Sequence, residues 1–152
     1  MRPLTRTKHH VSWLQRGTGK TKIPTPVTQP LSYDFGKALG LFLAEGCIHF
    51  HSREYPDCIT FTGDRDQTDL YSEIVLKGFG KVSSPKYAKT SRSMFLNLYS
   101  SGAAGWVYEQ FGHKDTKRLP DWVFDAPREY QLGLLHGYIN GDGHWKQDSN
   151  EN

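Results

Sequence analysis

The hydrophobic pattern of this chain changes period several times, and each change predicts an element. Residues 1–31 hold several Thr, Pro and Gly without a clean period, so they read as an extended leader or linker with at most short strands. Across 33–44 the positions Phe35, Ala38, Leu39, Leu41, Phe42 and Leu43 predict a mostly buried helix. Ser32 or Asp34 is placed to cap it and Gly46 to close it. The period then falls to two. In 47–54, Ile48 and Phe50 face one way while His49, His51 and Arg53 face the other. Tyr55-Pro56-Asp57 reads as a turn, and in 58–63 Ile59 and Phe61 oppose Thr60 and Thr62. Residues 64–79 return to a helical period, with Leu70, Ile74 and Val75 on one side and Asp64 or Asp66 as cap. A strand over 82–89 precedes another over 93–100, where Met94, Leu96 and Leu98 alternate with Phe95, Asn97 and Tyr99. A helix over 102–111 carries Trp106, Val107 and Phe111.

The order αββαββα predicts an α+β fold in which helices cover one apolar face of a four-stranded antiparallel sheet. The opposite face collects His49, His51, Arg53, Thr60, Thr62, Asn97 and Tyr99, with Lys86, Lys89 and Arg92 close by. Such a face is ordinary if it meets only water. It is also what a reader of the DNA major groove needs, because strands fit that groove and these side chains reach base edges and phosphates.

The opening helix then returns. After Lys117-Arg118-Leu119-Pro120, residues 129–141 read as a second apolar helix. Its segment LHGYINGDG (135–143) repeats the earlier ALGLFLAEG (38–46), with Glu45 and Asp142 97 positions apart. Both copies place small residues four apart, Gly40 with Ala44 and Gly137 with Gly141. Such residues share one helix face and let two backbones approach closely. Each copy ends in an acid followed by glycine. Packed in parallel, the helices would bring Glu45 and Asp142 together at their negative ends, which stability alone does not favour. A divalent cation would resolve the repulsion, and Mg²⁺ also accepts water and substrate phosphate as ligands. The pattern implies metal-dependent hydrolysis of a nucleic-acid backbone.

Charge adds a little. The net charge is only +3, but the first thirty residues carry Arg2, Arg6, Lys8, Arg16, Lys20 and Lys22 without an acid, and a second cluster runs through Lys81, Lys86, Lys89 and Arg92. Both fit a polyanion-binding surface, or simple solvated charge. No apolar run reaches the roughly 20 residues of a membrane span, and nothing at the start resembles a secretory signal. Cys47 and Cys58 make neither a metal spacing nor a disulfide framework. The expected setting is therefore a reducing one, cytoplasmic or the nucleic-acid compartment of a host. Gly17-Thr18-Gly19-Lys20-Thr21 lacks the first glycine of a P-loop, Leu14 standing there. His9, His10, His49 and His51 lack zinc-ligand spacing.

The two nonapeptides, at subdomain spacing and with the right elements between them, resemble the paired signature helices of the two-motif LAGLIDADG homing endonucleases. The resemblance spans about 32–145. It implies a first subdomain over 32–116, then a linker and the signature helix of a second over 117–152, C-terminally truncated because only nine residues follow Gly143. It also implies site-specific double-strand cleavage of DNA dependent on Mg²⁺ or another divalent cation. Glu45 and Asp142 would be the metal-binding acids. Lys117, in a segment similar to the K-x-[IL]-P element of intein-borne members, would assist at the scissile phosphate, although a solvated linker lysine is an equal reading. Thr7-Lys8-His9-His10 fits the T-x-x-H pattern of intein splicing domains, with His10 as the histidine. The alternatives are a DNA-binding half-saddle that does not cut, and an internal piece of a splicing intein. A second chain or a missing C-terminal half would complete the saddle. Left bare, Leu134, Leu135, Tyr138 and Ile139 would form part of a sticky surface and drive self-association.

Overall fold

The computed structural model describes residues 6–15, 23–52 and 54–142 of the chain. The leader contributes more than expected. Strand β1 (His10–Gln15) pairs antiparallel with β2 (Thr25–Pro30), and Val11, Trp13 and Leu31 are buried in the common core. The Trp13 ring lies 5.4 Å from Trp106 and 6.3 Å from Phe35. These are the short strands that the reading of 1–31 allowed, and β2 carries two prolines, which weaken a strand signal.

Helix α1 (Tyr33–Glu45) is capped by Ser32, whose Oγ accepts the Phe35 amide at 3.1 Å. Gly46 ends it in extended geometry, so the chain runs straight into β3 (Gly46–Ser52). Strand β4 (Tyr55–Asp64) begins earlier than the pattern suggested, because Tyr55 pairs with Ser52 and the expected turn residues belong to the strand. Register irregularities flank Phe50, which faces Pro56, a residue with no amide to donate to the ladder.

Asp64 then caps a 3₁₀ turn (Arg65–Gln67) with a capping box completed by Gln67, and α2 (Thr68–Phe79) follows. Ile74 and Val75 are buried as expected. Tyr71 and Gly78 face inward with them, whereas Leu70, expected inside, is exposed. Of the long strand expected over 82–89, only β5 (Lys86–Tyr87) pairs, with β6 (Ser93–Tyr99). The sheet order is β3-β4-β6-β5, all antiparallel. Ile48, Ile59, Phe61, Met94, Leu96 and Leu98 are buried on its inner face. Helix α3 (Ser101–Phe111), capped by Ser100, packs on this face and on the first strand pair. Two 3₁₀ turns, Lys114–Thr116 and Asp121–Asp125, lead to α4 (Arg128–Asp142). The chain is thus α+β around a four-stranded antiparallel sheet, and no described helix is long and apolar enough to cross a membrane.

Candidate functional site

Helices α1 and α4 are in contact along their lengths, and glycines set their distance. A Cβ on Gly36 or Gly40 would overlap the carbonyl oxygen of Tyr130 or Leu134. One on Gly133 or Gly137 would overlap that of Tyr33 or Lys37. Moving the α1 member of each contact forward by the repeat length of 97, and the α4 member back by the same number, converts the first pair of contacts into the second. The helices are therefore parallel, in register, and related by a local twofold axis. Gly40, Ala44, Gly137 and Gly141 lie in this seam, as the spacing suggested. Gly36 and Gly133 extend it by one turn toward the N-termini.

The twofold relation carries the last residue of each helix to the same end of the pair. Glu45 is the last residue of α1 and half-buried; Asp142 is the last of α4 and exposed. A Cβ on Gly141 would lie 2.6 Å from the Ala44 Cβ and 3.3 Å from the Glu45 Cγ, so the Glu45 side chain runs beside the residue preceding Asp142. Two further groups meet this end. The Lys117 ammonium donates to the carbonyls of Phe42 at 2.9 Å and Leu43 at 3.3 Å, adding to the Gly46 amide that also donates to Phe42 at the end of α1. Burial lowers its pKa below the usual lysine value, with Cys47 and Glu45 acting in the opposite sense. From α2, the Tyr71 hydroxyl donates to the Gly141 carbonyl at 3.4 Å. Burial, followed by the Glu45 charge, pushes its pKa up to about 12.

Tyr71 escaped the sequence reading because it lay outside the motifs. His113, in the connection after α3, also lay outside the motifs. Its Nδ1 accepts the Ile48 amide at 2.9 Å, fixing the start of β3 three residues after Glu45. Burial, with the Lys114 and Lys117 charges, lowers the His113 pKa.

The outer face of the sheet begins at this same point. Cross-strand rows run Cys47–Thr60–Asn97, His49–Cys58–Tyr99 and Thr62–Phe95–Lys86. Six of the residues proposed to meet DNA therefore sit in adjacent rows: His49, Thr60, Thr62, Asn97, Tyr99 and Lys86. His49 bonds Asp57 at 3.0 Å, and His51 approaches the same carboxylate at 4.0 Å. Lys89 is exposed beyond the sheet. Arg92 is turned instead to Asp64 and Asp66, at 3.1 and 2.8 Å, and these charges hold its pKa above the ordinary guanidinium value. Arg53 lies outside the described residues.

At the leader, the His10 amide donates to the Thr7 Oγ1 at 3.0 Å and the Thr7 amide to the His10 carbonyl at 2.9 Å. The pair closes a local turn ahead of β1. Leu134, placed by the sequence on a sticky face, packs toward α1 and is buried, while Leu132, Leu135 and Tyr138 are exposed.

No family model matches the chain. It is 45% identical over 124 residues to an iron–sulfur cluster assembly SufBD family protein of Mycobacterium leprae, a match covering 78% of this chain and 13% of that protein. It is 28% identical over 120 residues to a DNA-directed RNA polymerase subunit Rpo1C of Methanocaldococcus jannaschii, covering 78% and 13%. A third relative is an ATP-dependent DNA helicase Hel308 of Thermococcus kodakarensis, 29% identical over 132 residues, covering 82% and 11%. The chain thus spans about a tenth of the length of each, and two of the three are DNA-processing proteins by name.

Proposed function

We propose that this segment is the DNA-cleaving core of a LAGLIDADG-type homing endonuclease carried inside host proteins, hydrolysing phosphodiester bonds in double-stranded DNA with a divalent cation. The observation that carries this reading is the twofold pairing of α1 and α4, which ends both helices on a carboxylate at one end. Like-charged groups at two negative helix termini cost stability, so a functional partner of opposite charge accounts for them better than packing does.

The donor set suits Mg²⁺. Both protein donors are hard oxygens, and no group of three or more His, Cys, Asp or Glu that could hold a metal occurs among the described residues. Two carboxylates leave most of an octahedral shell to water and substrate phosphate, as Mg²⁺ prefers. Such an ion, when bound, supplies the positive charge that brings a water and the scissile phosphate together. Glu45 and Asp142 hold it, and Lys117 adds a cation fixed at the same helix end. The outer face of the sheet, starting two residues after Glu45, orients the duplex.

The relatives support the embedded setting. One segment of 120 to 132 residues recurs as about a tenth of an RNA polymerase subunit, a helicase and an iron–sulfur assembly protein. A segment shared by hosts with such different names carries an activity of its own rather than any of theirs.

The test is Mg²⁺-dependent linearisation of a plasmid library carrying randomised duplex inserts, with Glu45→Gln and Asp142→Asn as controls. Cleavage of a defined subset that either substitution lowers by at least about 10²-fold is expected. Equal cleavage by the double variant would sink the proposal. A second reading, a half-saddle that binds DNA without cutting, is favoured by the exposure of Leu132, Leu135 and Tyr138 on α4. Sequence-selective binding with no cleavage at any Mg²⁺ or Mn²⁺ concentration would select it.

A further inference from the structure

The outer face of the sheet holds a small hydrogen-bonded network whose polarity is fixed. The Thr60 hydroxyl donates to Asn97 Oδ1 at 2.7 Å, and the Cys58 thiol lies 3.7 Å from the same oxygen. Burial raises the Cys58 pKa, so the thiol keeps its one proton, which also has the Ile59 carbonyl at 3.6 Å. With its oxygen held by the Thr60 hydroxyl, Asn97 turns its amide nitrogen outward, where Nδ2 donates to Tyr99 Oη at 3.2 Å. An amide nitrogen carries two hydrogens and a phenol one. Tyr99 Oη accepts the first Asn97 hydrogen, which leaves one Asn97 N–H and the Tyr99 O–H to face solvent among the described residues. Tyr99 is 52% exposed and Asn97 partly so, so both are within reach of a ligand.

We propose that Asn97 and Tyr99 act together as a donor pair that reads guanine in the major groove. The inference rests on the DNA-binding reading above and deepens it. An asparagine presenting both its oxygen and its nitrogen matches adenine, which offers one acceptor and one donor on that edge. Here the oxygen is withdrawn into the sheet by Thr60, and the phenol supplies a second donor in its place. Two donors match only an edge with two acceptors, and guanine alone has one, with O6 and N7 about 3 Å apart. That separation is close to the 3.2 Å between Asn97 Nδ2 and Tyr99 Oη. Thr60 and Cys58 contact no base in this scheme; they position Asn97.

The experiment is selection of bound duplexes from a randomised pool with Mg²⁺ chelated, followed by salt titration of the recovered duplex. The wild-type protein is expected to enrich a G·C pair at one position. Tyr99→Phe removes an exposed hydroxyl and, with it, the acceptor of one Asn97 N–H. It should relax that position alone, weakening binding to the selected duplex about 10-fold with the salt slope unchanged. Asn97→Ala should relax the same position and weaken binding by about 10- to 100-fold. Enrichment of a sequence whose guanines respond to neither substitution would overturn the donor pair and leave the DNA reading standing. Uniform loss across sequences with a shallower salt slope would assign the pair to a phosphate and also overturn it. No enrichment of any duplex would sink the DNA reading itself, and the donor pair with it.

Discussion

Replacing Gly137 by alanine tests the central geometric claim, because two effects of opposite sign compete there. In a free or loosely packed helix, Gly→Ala stabilises by about 0.8–1.0 kcal/mol through backbone entropy. In this seam the new Cβ would overlap the Lys37 carbonyl oxygen, lying 2.8 Å from its carbon and 2.9 Å from the Leu41 nitrogen. Ordinary carbon contacts need about 3.5–4.0 Å, so the backbones must part by about 1 Å. No rotamer change relieves a clash with a backbone. The cost therefore falls at or above the usual 1–3 kcal/mol for overpacking, with weak Cα–H···O contacts of about 0.5–1 kcal/mol each lost beside it. Net of the helix gain, destabilisation by about 2–4 kcal/mol is expected. Gly40→Ala, its twofold mate, should cost the same, and the pair should combine non-additively. Gly105→Ala in α3 is the control, since a Cβ there meets nothing within 4 Å; it should stabilise by up to about 1 kcal/mol. Urea unfolding followed by tryptophan fluorescence reads the difference as a midpoint shift of about 1–2 M at a typical slope. A Gly137→Ala midpoint at or above that of Gly105→Ala would refute the close seam.

Four further outcomes are expected. Lys117→Met removes the donor to the Phe42 and Leu43 carbonyls and should cost about 1–3 kcal/mol in the same unfolding assay, with cleavage falling further than stability explains. His113 has a lowered folded-state pKa, so the unfolded chain takes up its proton first; stability should decline as pH falls through 6.5 and level off below the folded value, and His113→Gln should flatten that decline in acid unfolding curves. Tyr71 has the opposite sense: its folded pKa of about 12 lies above the unfolded value of 10.0, so its contribution is whole below pH 10 and lost on the way to 12, a loss that Tyr71→Phe should lack in alkaline unfolding. Tyr130 is buried and its hydroxyl has no hydrogen-bond partner among the described residues, so Tyr130→Phe should be neutral or stabilise by about 1 kcal/mol, measured by thermal unfolding.

Periodicity made most of the fold legible, because burial and side-chain direction are local properties. Alternation placed Ile48, Ile59, Leu96 and Leu98 inside and Thr60 and Asn97 outside, and the ladder agrees. The misreadings came where a non-local partner decides. Leu70 was expected inside with Ile74 and Val75, but the adjacent Tyr71 completes that stripe and Leu70 is exposed. Nothing local shows that Asp64 and Asp66 lie opposite Arg92, which the pattern placed only as a basic residue near the sheet. Cys58 points to the polar face yet is buried, since Thr60 and Asn97 close over it. Within the candidate site, the acids and small residues were visible through repetition. Tyr71 and His113 occur once each and were invisible to it.

The seam explains why the acids depend on residues far from them. Contacts between α1 and α4 obey the twofold relation, but their surroundings do not. Phe35, Ala38 and Leu41 are fully buried, while their counterparts on α4, Leu132, Leu135 and Tyr138, are about half exposed. Helix α1 is thus held by a whole core, and the inner face of α4 chiefly by α1. This interface and the Tyr71 bond to Gly141 hold the end of α4 that carries Asp142. A one-ångström change at Gly36 or Gly133, two helical turns or more from the acids, would propagate along a rigid helix to their separation, and carboxylates sharing an ion tolerate little misplacement. The glycines are therefore part of the site as much as the carboxylates are: they convert a repeated sequence into a fixed distance between two charges.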